Sequence, residues 1–406
     1  MSNPTPAGFP LVDSSYDQTE IDRCIETLQS GQLTMGKKVK EFEAAFARAV
    51  GSPFAVMVNS GSSANLLALA VATNPLRGRR LKRGDRVGVP AVCWSTSIWP
   101  IVQMGLVPVL LDVDPGTLNL SIASLERALA APGLQALVMV HVLGNSTELG
   151  RLLALVEAHD LLLIEDTCES LGSRFGGAWL GTLGAFGTFS FYFSHHMTTI
   201  EGGMVIARTR EDDDLLRCLR AHGWSRDLSN RQALEKQSPH IDPRFLFVNL
   251  GYNLRPMELQ AAFGLEQIRR LDAMNANRRS NVAQLRAAFA AHPRWNGQLE
   301  FPAATAGLDP CWFGFPFLLS PSAGINRASF THALMERGID TRPIVSGNMA
   351  LQPALAHFEV DLKQGPFDGA QAVHDRGLFI GAHSRPVEPA RLDGLVNTVM
   401  GAFPGG

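Results

Sequence analysis

At 406 residues the chain is too long for one compact core of ordinary size, so a large domain and a smaller one are expected. Apolar residues make up 46% and charged residues 18%, and the formal net charge of −2 shows no excess that would draw the protein to nucleic acid. The opening MSNPTPAGFPLVDSS has no charged stretch followed by an apolar one, and no run of about 18 apolar residues occurs, so the expected location is the cytoplasm.

Short apolar runs recur along the first half: FAVMV (54–58), RVGVP (86–90), VPVLLDV (107–113), ALVMVHV (136–142) and LLLIED (161–166). Helix-like stretches such as SANLLALAVAT (63–73) and ELGRLLALVEAHD (148–160) lie between them. Strands alternating with helices predict a mostly parallel sheet with helices on both faces. The helix-rich EQIRRLDAMNANRRSNVAQLRAAFAAH (266–292) then leads away, which sets the expected division into residues 1–271 and 272–406. The second unit contains the strand-like CWFGFPFLLS (311–320) and the helix-like NRASFTHALMERGI (326–339), so it is expected to be a small α+β domain.

Ligands of parallel sheets bind beyond the carboxyl ends of the strands, so the residues that follow each run carry the functional signal. After FAVMV come Ser60, Gly61, Ser62 and Ser63, then an apolar helix. Small residues there let the backbone approach an anion, and the helix dipole favours a phosphate; a plain serine N-cap explains the same letters. After RVGVP, Trp94 stands where an indole can stack on a planar ligand or pack into a core. After LLLI come Glu165, Asp166, Thr167, Cys168 and Glu169. A carboxylate at that buried strand end suits a protonated ring nitrogen, a magnesium ion or a solvated loop.

The five cysteines are scattered, the nearest pair, Cys168 and Cys218, being 50 positions apart. No C-x-x-C occurs, so neither a zinc site nor an iron–sulfur cluster is expected, and reduced thiols are. No metal is expected at the adjacent His195 and His196 either, since neighbouring residues seldom aim both rings at one ion and no H-E-x-x-H spacing accompanies them.

Taken in order, GSSANLLAL, VPVLLDVDPGTLNL, EDTCESLGS, FGTFSFYFS, EGG, RAHGW (220–224) and GYNLRPMELQAAFGLEQI (251–268) resemble the sugar-nucleotide aminotransferase family, with weaker traces as far as RPIVSGN (342–348). The resemblance covers most of the chain. It implies an aspartate-aminotransferase-like α/β fold, fold type I among pyridoxal phosphate enzymes, with a mostly parallel central sheet and a smaller C-terminal α+β domain. In that family the pattern S-F-x-x-x-K carries the lysine that binds the cofactor. Here Ser190 and Phe191 match, and the fifth position after Ser190 is His195. Only six lysines occur, Lys37, Lys38, Lys40, Lys82, Lys236 and Lys363, so none between positions 82 and 236 replaces it.

Without that amine, pyridoxal phosphate cannot be held covalently, while a histidine still moves protons near neutral pH. The resemblance narrows to the branch of pyridoxamine-phosphate-dependent 3-dehydratases of deoxysugar synthesis, and the cysteine spacing favours the sort that needs no iron–sulfur cluster. It implies removal of the C3 hydroxyl from a nucleotide-linked 4-keto-6-deoxyhexose, GDP-4-keto-6-deoxy-D-mannose for choice, with L-glutamate restoring pyridoxamine phosphate. A pyridoxal enzyme working on a TDP- or CDP-4-keto sugar, and a non-catalytic relative, stand as alternatives. The implied roles are His195 as base, with His222 beside cofactor and substrate. Asp166 pairs with the pyridine nitrogen, Glu169 lies near the ring hydroxyl, Trp94 stacks on the ring, and Gly61, Ser62 and Ser190 hold the phosphate. Asn253 and Phe247 reach the site of a neighbouring subunit, so a homodimer is expected, and Arg255 and Arg342 face the sugar or its diphosphate. His196 is expected to be a hydrogen-bonded structural histidine.

Overall fold

The computed structural model describes residues 8–131 and 133–404. Seven strands make the main sheet: β1 (Phe54–Val58), β2 (Arg86–Pro90), β3 (Val107–Leu111), β4 (Leu134–Val140), β5 (Leu162–Asp166), β6 (Phe186–Ser190) and β7 (Gly203–Ala207). Their order is β1-β7-β6-β5-β4-β2-β3. The pairs β6/β5, β5/β4, β4/β2 and β2/β3 are parallel, and only β7 runs antiparallel to both neighbours. The sheet is therefore mostly parallel. Each of the five apolar runs contains or overlaps a strand, and the near-continuous apolar character follows from burial on both faces.

Helices α1 (Gln18–Gln29), α2 (Lys37–Val50), α3 (Gly61–Ala72), α4 (Ser95–Gln103), α5 (Ile122–Ala130), α6 (Leu149–Ala158) and α7 (Arg210–Arg220) surround the sheet, and α8 (Glu258–Ala291) leaves it. Period-2 alternation assigns β1 to two cores. Val56 and Val58 pack with Leu67 and Val71 of α3, whereas Ala55 and Met57 pack with Phe42 and Phe46 of α2. Helix α3 is buried along most of its surface, which explains why its sequence is apolar all round. The start of α2 has only Gly36 as cap, and Glu258 from α8 supplies the missing acceptor: its carboxylate takes the amides of Gly36, Lys38 and Val39 at 2.8, 2.8 and 2.9 Å.

A second, antiparallel sheet has the order β8-β9-β11-β10, from Leu299–Glu300 (β8), Gly314–Leu319 (β9), Arg342–Pro343 (β10) and Gly377–Gly381 (β11). Helices α9 (Arg327–Glu336), α10 (Asp368–Arg376) and α11 (Pro389–Met400) accompany it. Its core is aromatic, with Phe289, Phe315, Phe317, Phe330 and Phe403, and Phe9 joins it from the other end of the chain. Residue 271 falls inside the 34-residue α8. Leu271 and Met274 pack with the first unit's core, while Val282, Leu285 and Phe289 pack with the second's. One helix therefore carries the chain from one core to the other without a linker.

Candidate active site

The carboxyl ends of β1, β5 and β6 converge. Beyond β1, Ser60 caps α3, its hydroxyl accepting the Ser63 amide at 3.1 Å. The first-turn amides of Gly61 and Ser62 then have no partner within the helix, which suits an anion. A Cβ at Gly61 would stand 2.5 Å from the Ser190 Cβ and 2.9 Å from its Oγ, so only glycine lets the α3 terminus meet the end of β6. Gly203 closes the same corner, where a Cβ would stand 2.3 Å from the Ser60 carbonyl oxygen. Ser62 Oγ lies 3.3 Å from Thr96 Oγ1 in the first turn of α4, so two helix N-termini face one space.

Asp166, the last residue of β5, is buried. Its Oδ2 accepts Asn65 Nδ2 at 2.7 Å and Ser97 Oγ at 2.8 Å, and its Oδ1 accepts the Cys168 amide at 3.2 Å. Oδ2 is thus occupied by the surrounding helices, and Oδ1 retains acceptor capacity. Thr188 of β6 completes the set by donating to Asn65 Oδ1 at 2.5 Å.

His195 follows β6 in a turn closed by its own amide on the Tyr192 carbonyl at 2.9 Å. The residue is half-buried, but Nδ1 is enclosed and has no hydrogen-bond partner. Burial lowers the imidazole to about 4, against the opposing pull of the Cys168 carbonyl, so it is neutral at pH 7. His196 also packs against Phe313, 5.8 Å between ring centres, and is held differently. It is fully buried, and its Nε2 lies 2.9 Å from the Cys311 carbonyl. Glu169 Oε2 accepts the Leu143 amide at 3.1 Å, and burial, reinforced by Asp166, raises its carboxyl to about 7. Leu143 holds φ 52°, an uncommon conformation for a leucine, as it delivers that amide.

Trp94 leaves β2 with its indole 58% exposed, available to a planar ligand. The segment after β10 docks beside it, where Ser346 Oγ donates to the Cys93 carbonyl at 2.5 Å. Arg342 itself is exposed on β10 and bonds only the Thr341 carbonyl, at 2.8 Å. His222, Asn253, Phe247 and Arg255 form a separate surface group around Trp224. Phe247 stacks on that indole at 5.7 Å, His222 meets it edge-on at 5.2 Å, and the Arg255 guanidinium lies 6.0 Å from its centre. Arg255 Nε donates to Asn253 Oδ1 at 2.9 Å. No hydrogen bond or aromatic contact among the described residues joins this group to His195 or Asp166. The two regions are joined through backbone, the Asn59 amide before α3 donating to the Leu254 carbonyl at 3.1 Å.

Residues 14–399 match the DegT/DnrJ/EryC1/StrS aminotransferase family. The chain belongs to this family. A relative in Yersinia pseudotuberculosis named GDP-4-keto-6-deoxy-D-mannose 3-dehydratase is 39% identical over 378 residues, which are 92% of this chain and 94% of the relative. The Escherichia coli GDP-4-keto-6-deoxy-D-mannose-3-dehydratase, solved with bound hydrated pyridoxal phosphate, superposes with a TM-score of 0.89 at 35% identity, covering 97% of this chain and 99% of that one. A GDP-4-keto-6-deoxymannose-3-dehydratase structure with a trapped pyridoxal phosphate–glutamate geminal diamine gives 0.88 at 36% identity, over 96% and 100% of the two chains. The fold is that of the fold type I, aminotransferase-like pyridoxal phosphate enzymes.

The DegT-family site fits that cofactor on its own geometry. The Gly61 corner offers amides without room for a side chain, Asp166 Oδ1 has room for a ring N–H, and the Trp94 face is open. Asn65, Ser97, Thr188, Phe313 and the Cys311 carbonyl were absent from the sequence reading. Asn65 carried a signal, as the sole amide side chain in the apolar run GSSANLLALAVA, where a buried polar group requires a partner. The others are brought in by packing between distant segments.

Proposed function

We propose that the protein is a pyridoxamine-phosphate-dependent 3-dehydratase. It removes the C3 hydroxyl of a nucleotide-linked 4-keto-6-deoxyhexose, with GDP-4-keto-6-deoxy-D-mannose the first candidate, and glutamate restores the amine. The observation that carries this reading is His195, standing where the family's lysine belongs in a site that otherwise keeps a phosphate corner, a ring-nitrogen carboxylate and a stacking indole. The bound cofactor supplies a primary amine for the C4 ketone and a ring that takes up electrons. The chain supplies the rest.

Gly61, Ser62 and Ser190 hold the phosphate against two helix termini. Asp166, its Oδ2 held by Asn65 and Ser97, would offer Oδ1 to the ring nitrogen and favour the protonated ring. Trp94 covers one ring face. His195 is neutral at pH 7 and its Nδ1 is enclosed, so Nε2 is the atom that takes a proton at the reacting face and returns one to the leaving C3 hydroxyl. Glu169, its carboxyl raised to about 7 by burial, would serve the ring hydroxyl.

Asn253 and Phe247 reach the site of the second subunit of a homodimer, His222 serves beside cofactor and substrate, and Arg255 faces the sugar or its diphosphate. That arrangement is supported by the exposure of Phe247, Leu250 and Met257, at 51%, 63% and 52%. Arg342 is assigned to the sugar diphosphate. The cofactor-binding unit is 1–271 and the smaller unit 272–406. No described helix is long and apolar enough to cross a membrane, and the soluble sugar nucleotide and glutamate suit a cytoplasmic enzyme. The test is incubation of the purified protein with pyridoxal phosphate, glutamate and a panel of GDP-, TDP- and CDP-linked 4-keto-6-deoxy sugars. Formation of 2-oxoglutarate and a 4-keto-3,6-dideoxy product is expected with the GDP sugar. Absence of product across the panel rejects the activity, and product from another nucleotide alone rejects the substrate.

A further inference from the structure

Phe313 precedes β9 in the second sheet, yet its ring centre lies 5.0 Å from that of His195 at an interplanar angle of 81°. Tyr192 meets the same imidazole edge-on at 5.9 Å, so the ring stands between two aromatic walls. The Phe313 wall is held from several directions. The Phe313 amide donates to the Leu143 carbonyl at 3.1 Å, and Arg278 Nη1 donates to the Phe313 carbonyl at 3.0 Å. Two residues earlier, Cys311 donates its amide to Ser173 Oγ at 2.8 Å and receives His196 Nε2 on its carbonyl at 2.9 Å. On its far side Phe313 rests on Phe379 of β11, 6.1 Å between centres. A side chain anchored this way has little freedom to follow a moving imidazole.

We infer that Phe313 is a positioning residue for His195, its ring closing the Nδ1 side of the imidazole so that only Nε2 exchanges protons with a bound substrate. The inference rests on His195 being the base of the proposed dehydration. His195 Nδ1 is enclosed without a partner, whereas Nε2 is not enclosed in this way. An aromatic ring packed on the imidazole, together with an enclosed Nδ1, would select one nitrogen without a hydrogen-bonded carboxylate, the device more often used to orient a histidine. The second histidine gains a role here, since His196 fixes the segment that carries the wall.

The charged groups facing His195 are Asp166 from β5, which favours the imidazolium, and Arg278 from α8, which opposes it, with His196 adjacent; the carbonyls of Cys168 and Ser190 also favour the charged form. Desolvation outweighs the favourable contributions and keeps the ring neutral. Removing the wall admits water to Nδ1 and leaves the charges in place.

The test is an NMR titration of histidine-labelled, cofactor-free protein, the His195 signal being assigned by its loss in His195→Asn. Phe313→Ala is expected to raise the His195 midpoint from about 4 towards the ordinary 6.5, by roughly one pH unit or more, and to move the acidic limb of kcat/KM with it. Should the alanine variant fail to fold, Phe313→Leu, which shortens the wall but keeps it apolar, is expected to move the midpoint the same way by about half a unit. An unmoved midpoint in the folded variant would overturn the role of Phe313 and leave the base assignment intact. Full turnover by His195→Asn would overturn the base assignment, and this role of Phe313 with it.

Discussion

Asn65 donates its side-chain N–H to Asp166 Oδ2 at 2.7 Å while its own oxygen receives the Thr188 hydroxyl at 2.5 Å, so one amide ties α3 to β5 and β6 at the floor of the site. The carboxylate fixes which way the amide points, because an ionised Asp166 can only accept, so Nδ2 must face it and Oδ1 is left to take the Thr188 hydroxyl. Asn65→Leu keeps the volume close but leaves Asp166 one donor short and the Thr188 hydroxyl with only the longer contact to the Glu165 carbonyl, at 3.3 Å. The variant is expected to lose about 2 kcal/mol of stability. Urea denaturation of the cofactor-free protein measures this, and equal midpoints for variant and parent would show that the amide is dispensable.

His195 decides the reaction class, and two substitutions separate its duties. His195→Asn removes the proton acceptor and leaves the phosphate corner, Asp166 and Trp94 untouched. Dehydration is expected to fall by about a hundredfold or more, with pyridoxamine phosphate still bound by equilibrium dialysis. His195→Lys restores the amine found elsewhere in the family. It is expected to hold pyridoxal phosphate covalently, detected as a mass increment after borohydride reduction, and to lose dehydratase turnover. Turnover at the parent rate in this variant would mean that the missing lysine does not determine the chemistry.

Stability against pH has opposite signs at Glu169 and at the histidine pair. Glu169 is raised from 4.5 to about 7, first by burial and then by Asp166. Its folded form holds the proton more tightly than the unfolded chain does, so its contribution is present below pH 4.5 and is lost as the pH rises through 7. His195 and His196 are lowered from 6.5 by burial, so theirs is present above pH 6.5 and is lost on acidification. Glu169→Gln removes the alkaline loss while its side-chain oxygen can still accept the Leu143 amide. The variant is expected to exceed the parent by about 1 kcal/mol or more at pH 8 and to match it near pH 4.5. A difference that does not depend on pH would place the effect in packing instead.

How far the site could be read in advance follows from which contacts are local. The strand exits were legible, because a parallel sheet buried on both faces yields unbroken apolar runs and the residues after them line one edge. Ser60 to Ser63, Trp94 and Asp166 were found that way, whereas Ser190 came from the family pattern. His195 was legible only against the family's spacing, since no periodicity marks a histidine in place of a lysine. The contacts that orient these groups were not legible: Ser97 reaches Asp166 across 69 positions and His196 reaches Cys311 across 115. Residue 271 shows the same limit from the other direction. The helical pattern of α8 is continuous there, and the change of core between Met274 and Val282 exists only in three dimensions.

Glu258 offers a test far from the chemistry. Its carboxylate receives three amides at the start of α2, where Gly36 has no side chain to cap with, and it is itself buried. Glu258→Ala leaves those donors without their acceptor and is expected to cost about 2 kcal/mol, read by urea denaturation. Glu258→Gln keeps one oxygen and is expected to recover part of the loss. Because α2 packs Phe42 and Phe46 against Phe189 and Phe191, the aromatic strand end that leads into His195, fraying of α2 is transmitted to that turn. The alanine variant is therefore expected to release pyridoxamine phosphate more readily than the parent at the same temperature. Unchanged cofactor retention alongside a lowered midpoint would show that the turn at His195 is held without α2.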